Sequence, residues 1–208
     1  MIKDLLNRYP QLSVCIDAII SAEKELIKCF ESGGKLLLCG NGGSCSDCEH
    51  IAGELMKGFL KKRPLTQENK LEMKTNYPPI DDMMLNQLQK GLSAIALPSF
   101  TAINSAFCND VNADLVYAQT LMALAKKQDV LLAISTSGNS ENVVNAAKVA
   151  RATGCKVIAL TGADGGRLRE ICHICICAPE TETFKIQELH LPIYHYLCAK
   201  IEEHFFDL

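Results

Sequence analysis

Apolar residues follow two rhythms along this chain, one spaced for helices and one running without a break. Over residues 11–31 they fall at Leu12, Ile16, Ile19, Ala22, Leu26 and Phe30, a spacing that lines one face of a helix. Pro10 before this stretch and Gly33-Gly34 after it supply start and stop signals. Next come an unbroken apolar run over 35–39, the glycine turn Gly40-Asn41-Gly42-Gly43-Ser44, and an amphipathic helix to about residue 60. The same order returns three more times. A strand at 93–97 precedes helical patterns at 101–107 and 115–126, and one at 130–134 precedes a serine-rich loop and a helix at 141–153. Gly154 ends that helix before a strand at 156–160, and a last strand near 174–177 leads into a long helix from about 182 to 206. Short, continuously apolar strands alternating with helices predict a parallel sheet covered on both faces. The expected fold is α/β: a three-layer α/β/α sandwich with a central five-stranded parallel sheet and long helices at both termini.

The rhythm lapses only between residues 65 and 91, a stretch that follows Pro64 and contains Pro78, Pro79, Asp81-Asp82 and several amides. This reads as an insertion in a single domain spanning 1–208, with a short helix around 81–89. A loop of this length in a compact domain is often functional or mobile.

Composition narrows the classes. The chain has 208 residues, 48% of them hydrophobic, and a formal net charge of −3. Its nearest approach to a basic patch is Lys57, Lys61, Lys62 and Arg63 at a helix end, too little for a nucleic-acid partner. No apolar run approaches the length of a membrane span, and Met1 leads directly into a helical pattern rather than a signal peptide. Eleven cysteines in such a chain suggest a reducing, cytoplasmic compartment. Cys45 and Cys48, together with Cys172, Cys175 and Cys177, have the spacing of zinc ligands. The second group, however, sits in an apolar run that reads as a buried strand, so packed thiols are expected there.

Candidate chemistry lies in the loops that follow the strands, where parallel sheets bind ligands. Gly40–Ser44 opens like a dinucleotide fingerprint but has Cys45 where the third glycine belongs, which argues against a nicotinamide cofactor. Asn41 and the backbone N–H groups of Gly42 and Gly43 could instead meet sugar hydroxyls. Ser135-Thr136-Ser137-Gly138-Asn139-Ser140 places four hydroxyls at a helix amino terminus, an arrangement suited to a phosphate. It lacks the lysine of a nucleotide-binding loop, so a small phosphorylated molecule fits better. The glycine-rich 161–166 reads as a turn. His50 and Glu54, four residues apart, share a helix face, and the last helix carries Gln187, Glu188, His190 and His195.

At these residues the chain resembles the sugar isomerase (SIS) domain family, and within it the phosphoheptose isomerases. The resemblance rests on Gly40–Ser44, His50 with Glu54, Asn109-Asp110, residues 129–140, 160–166, and residues 186–190 with His195. It implies interconversion of D-sedoheptulose 7-phosphate and D-glycero-D-manno-heptose 7-phosphate, with Glu54 and His195 as catalytic acid/base residues. It implies substrate contacts at Asn41, Gly42, Gly43, Glu54, Asn109, Asp110, Ser135, Thr136, Ser137, Ser140 and Gln187. One zinc ion per site on His50, Glu54, Gln187 and His195, and a homotetramer with active sites shared between chains, follow from the same resemblance. Gln187 and His195 are eight residues apart, a rise of about 12 Å on an unbroken helix, so one metal reaches both only through a distorted helix or a second subunit. Phe184-Lys185 replaces an Asp-Arg pair of better-known members, and residues 65–91 exceed their counterpart. Other readings are an isomerase for another sugar phosphate and a non-catalytic phosphosugar-binding regulator of the same fold.

Overall fold

Successive side chains of a strand point to opposite faces, so a strand that is apolar throughout needs a core on both sides. The computed structural model of the chain, which describes residues 1–206, satisfies that need. The chain opens with α1 (Ile2–Arg8), a 3-10 helix over Pro10–Cys15 and α2 (Ile16–Glu31), then enters β1 (Leu36–Cys39) and α3 (Gly43–Met56). The insertion holds α4 (Gln67–Asn76) and α5 (Asp82–Gln87). Next come β2 (Ala94–Ala96), α6 (Thr101–Phe107), a π-helical turn over Cys108–Asn112, and α7 (Val116–Leu124). The remainder is β3 (Val130–Ile134), α8 (Glu141–Ala152), β4 (Lys156–Thr161), α9 (Leu168–Ile171), β5 (Ile174–Cys177) and α10 (Thr183–Phe206).

All five strands are parallel, in the order β2-β1-β3-β4-β5. Leu36, Leu38, Val130, Leu132, Ile134, Ile158 and Leu160 face one core, built with α1, α2, α3 and α10. The intervening Leu37, Cys39, Leu131, Ala133, Val157 and Ala159 face the other, built with α7 and α8. The expected three-layer sandwich is therefore present. The chain's direction across the sheet reverses between the neighbours β1 and β3, and at such a switch point the loops leaving adjacent strands diverge to leave a crevice. Those loops are the glycine turn and the serine loop.

Four local expectations need correction. The N-terminal helix does not run from residue 11: Pro10 starts a 3-10 helix in which Leu12 and Cys15, three apart, are the buried positions, and α-geometry begins at Ile16. α3 ends at Met56, short of residue 60, because Arg63 takes its last carbonyls; Nη1 donates to Leu55 O (2.7 Å) and Nη2 to Glu54 O (3.1 Å). The insertion contains a helix beyond the expected one. Thr66 caps α4 through Asn69 in a reciprocal capping box, and a bridge between Pro64 and Gln89 closes the base of the segment. Finally, β5 is an edge strand rather than a buried one: Ile176 alone among its residues is fully buried, and its three cysteine neighbours Cys172, Cys175 and Cys177 are half-buried.

Candidate active site

The serine loop follows β3 directly. Ser135 is buried and its Oγ lies 3.1 Å from that of Ser140, while Thr136 and Ser140 are half-buried and Ser137 is exposed. Ser137 Oγ accepts from the backbone N–H of Asn139 (3.2 Å). Gly138 has φ +65°, and a Cβ there would fall 2.1 Å from Gly165 O, so the turn requires glycine twice over. The 161–166 segment thus does more than turn the chain. Gly162 N–H donates to Thr136 O (2.9 Å) and Leu168 N–H to Gly138 O (3.0 Å), bracing the serine loop from behind. α8 begins at Glu141, immediately after these hydroxyls, and its positive dipole end faces them.

Across the switch point the glycine turn is tied to the same edge. Tyr117 donates from its hydroxyl to Gly40 O (2.9 Å) and Asn41 Oδ1 (3.0 Å), and Asn41 and Asn142 exchange amide hydrogen bonds. A Cβ on Gly43 would lie 2.5 Å from Gln187 Nε2, so the Gln187 amide rests on the bare backbone that starts α3. Asn41, Gly42, Gly43, Ser135, Thr136, Ser137, Ser140 and Gln187 therefore gather at one sheet edge. Asn109 and Asp110 lie on the π-helical turn, exposed and hydrogen-bonded to one another (2.8 Å).

A second cluster forms farther along α3 and α10, which run side by side in the same direction. Gly43 meets Gln187, His50 meets Tyr194, and Phe59 meets Glu202. His50 Nε2 is 3.2 Å from Glu54 Oε1, and the His195 ring stands nearly perpendicular to the His50 ring with centroids 5.0 Å apart. Lys57 Nζ reaches the other Glu54 oxygen at 3.3 Å. The chain so brings His50, Glu54 and His195 together, and puts Gln187 about 12 Å away along a continuous helix in which Pro192 sits without interrupting it. Among the described residues no set of three or more His, Cys, Asp or Glu side chains closes around a common point.

The hydrogen bonds around His50 decide which of its nitrogens is free. Tyr194 donates to Asp47 Oδ1 (3.2 Å), so its oxygen accepts from the His50 Nδ1–H at 3.0 Å. That leaves Nε2 as the nitrogen that faces Glu54 Oε1. His195 Nε2 is buried with no partner. Burial, and then the neighbouring His50, hold the His195 pKa below the usual histidine value, so its ring is neutral near pH 7 with that nitrogen available. The unpartnered His195 nitrogen and the His50–Glu54 pair are donor types that a borderline-soft divalent cation such as zinc takes, although in the single chain the three do not converge on one point. Asp47 and Tyr194 escaped the sequence reading, since nothing local marks them as partners of His50.

The far end of the helix pair is clamped. Glu202, buried, accepts from the N–H groups of Phe59 (2.8 Å), Leu60 (2.7 Å) and Lys61 (3.1 Å) and from Arg63 Nε (2.8 Å). Burial opposes this charge, but the donors prevail and hold the Glu202 pKa below the usual carboxylate range. Since Arg63 also holds the backbone carbonyl of Glu54, the clamp fixes the register of the whole cluster. His190, three residues beyond Gln187, is fully buried with a pKa pushed down by burial to about 4, and its Nε2–H donates to Thr161 O (3.2 Å). It is a neutral packing residue.

Residues 5–162 match the family model of the SIS domain, so the fold and its hydroxyl-lined edge are those of an SIS-domain protein. The phosphoheptose isomerase of Aliarcobacter butzleri is 37% identical over 206 residues, covering 97% of this chain and 95% of that protein. The solved phosphoheptose isomerase from Francisella tularensis superposes with a TM-score of 0.77 at 31% identity, covering 98% of this chain and 99% of that one. GmhA from Neisseria gonorrhoeae gives 0.76 at 30%, covering 97% and 95%. The chain belongs to the phosphoheptose isomerase family.

Proposed function

We propose that the protein interconverts D-sedoheptulose 7-phosphate and D-glycero-D-manno-heptose 7-phosphate by proton transfer through an enediol. The observation that carries this reading is the pairing of two sites on one frame. A hydroxyl-lined helix terminus suits a phosphate, and a Glu–His cluster on the flanking helices suits acid–base work, in a chain of this family. Ser135, Thr136, Ser137 and Ser140 hold the phosphate; Asn41, the Gly42 and Gly43 backbone, Asn109, Asp110 and Gln187 contact the sugar. Glu54 removes the proton bound to carbon, and neutral His195 moves the proton between the two sugar oxygens. His50 and Lys57, 3.2 and 3.3 Å from its two oxygens, keep the Glu54 carboxylate in place for this.

His50, Glu54 and His195 would hold a zinc ion, with Gln187 as a fourth donor. Such an ion supplies Lewis-acid polarisation of the carbonyl and stabilises enediolate charge. Within one chain Gln187 lies too far from His195 to complete that set, which supports a homotetramer whose sites are shared between subunits. Exposed apolar side chains at Met56, Phe100, Val111, Met122 and Leu191 support the same assembly.

Aldose formation from sedoheptulose 7-phosphate, followed with and without added zinc, tests the activity. Turnover is expected; no turnover on any phosphorylated heptose, hexose or pentose in either condition would replace this reading with that of a regulatory phosphosugar-binding protein. Sedimentation at micromolar concentration should show an oligomer, and a lone 22.8 kDa species would refute the shared site.

A further inference from the structure

The serine loop has hydroxyls for a phosphate but no cation of its own. The loops that follow β1, β3 and β4, residues 40–42, 135–140 and 162–167, contain a single positively charged side chain, Arg167. Asp164 opposes it within the same loop, and Glu141 opens α8 one residue after Ser140. A carboxylate in the first turn favours the helix itself, but at this terminus it also repels any phosphate that the hydroxyls would hold.

The backbone delivers Arg167 to that carboxylate. A Cβ on Gly166 would fall 2.3 Å from Ser137 O, so the chain passes flush against the serine loop only because no side chain stands there. Arg167 N–H then donates to Asn139 Oδ1 (3.0 Å), and the Asn139 amide donates to Ser137 O (2.9 Å). From this fixed start the guanidinium forks onto Glu141, Nη1 donating to Oε2 and Nη2 to Oε1 (3.3 Å). The hydrogen bond from Arg167 holds the Glu141 pKa below the usual carboxylate range, so the charge is present at neutral pH. Both side chains are exposed, and an exposed ion pair contributes little to stability. Holding the fold together therefore does not account for a forked pair at this spot.

We infer that Arg167 is the charge-compensating residue of the phosphate site: its guanidinium cancels the Glu141 charge at the start of α8, which lets a hydroxyl loop without a lysine accept a phosphate dianion. This rests on the phosphate reading of the serine loop and adds to it a residue from a different loop. Arg167 acts through Glu141, so its effect falls on binding and not on the proton transfers.

Calorimetry with sedoheptulose 7-phosphate tests this on the full-length protein and on Arg167→Gln, Glu141→Gln and the double variant. Arg167→Gln leaves the backbone bond to Asn139 in place and strips the cover from Glu141. We expect its Kd to rise about fivefold at low salt, weakened rather than lost because the hydroxyls remain, and the same loss to appear in KM rather than in kcat. Adding Glu141→Gln removes the charge that Arg167 had covered, so the double variant should bind within about twofold of the parent protein. The penalty in Arg167→Gln should also vanish as ionic strength rises from about 0.01 to 1 M, where the screening length falls from about 30 to 3 Å. A loop merely propped by the arginine would show neither the rescue nor the salt dependence. A double variant as weak as Arg167→Gln, or a penalty that salt leaves unchanged, would overturn the inference. So would an unchanged Kd in Arg167→Gln beside a weakened Ser137→Ala, an outcome in which the phosphate site stands without Arg167. Unchanged affinity in Ser137→Ala, Ser140→Ala and Arg167→Gln alike would remove the phosphate site itself, and this inference with it.

Discussion

The serine loop and the His50/Glu54/His195 cluster are built on opposite plans. All the hydroxyls of the first come from six consecutive residues, fixed by one strand end, one helix start and a glycine that no other residue could replace. The second draws on two helices far apart in sequence and owes its geometry to their parallel packing and to the Arg63–Glu202 clamp at their far end. Binding chemistry of the first kind survives anything that leaves one loop intact. Acid–base chemistry of the second kind depends on register over the length of a helix pair, so residues that never touch substrate can still govern it.

If that contrast is right, substitutions should separate turnover from binding. The largest effect is expected at Glu54. Glu54→Gln keeps the side chain's shape but cannot take a proton from carbon, so kcat should fall by about 10²–10⁴-fold. Sugar-phosphate affinity should change little, because the proposed phosphate site lies elsewhere. His195→Ala should behave alike, and the double variant should be hardly worse than either single one if the two act as a unit. Steady-state kinetics decides this; near-normal isomerisation by Glu54→Gln would move the base elsewhere, with the exposed Glu188 as the next candidate.

The reverse pattern is expected at the loop. Ser137→Ala and Ser140→Ala each remove a donor to a charged group, a loss of about 1.5–3 kcal/mol, or roughly 10- to 150-fold in Kd. Calorimetry with a sugar phosphate measures it. Unchanged affinity in both variants would dismiss the loop as a phosphate site and leave Ser140 as a partner of Ser135 within the turn.

The two plans also explain what could be read in advance. The serine loop was legible because its chemistry is local: hydroxyl density between an apolar strand and a helix needs no tertiary information. The sheet was legible because Leu36–Cys39, Val130–Ile134 and the apolar run of β4 are apolar on both faces. Strand order was not. Ile174–Cys177 has the same apolar composition as a central strand, and only the topology makes it an edge whose sulfurs are half open. α4 was missed because Thr66 is answered by Asn69 rather than by the glutamate or glutamine that usually marks a capping box, and because it buries no residue that would show a period. Asp47 and Tyr194 were invisible for a different reason. Their link through His50 exists only once α3 and α10 lie in register, and the intervening chain gives no hint of that register.

That last link supplies the smallest effect and the most specific one. Tyr194→Phe deletes a single hydroxyl from a buried ring and leaves its apolar packing unchanged. What it removes is the group that accepts the His50 Nδ1–H and donates to Asp47. Without it the imidazole loses the restraint that keeps Nε2 turned toward Glu54, while Asp47, whose pKa burial already raises, loses the donor that offsets it. If His50 holds a metal as proposed, removing such an outer partner typically lowers metal affinity or activity about 10- to 100-fold, and the loss of one hydroxyl should fall at the lower end. The expected result is a drop of about tenfold in zinc affinity by competition titration with a matching drop in kcat. KM and sugar-phosphate Kd should hold, since the serine loop lies at the other end of the helix pair. A loss of thermal stability with zinc affinity unchanged would make Tyr194 a packing residue and confine the acid–base cluster to the three side chains themselves.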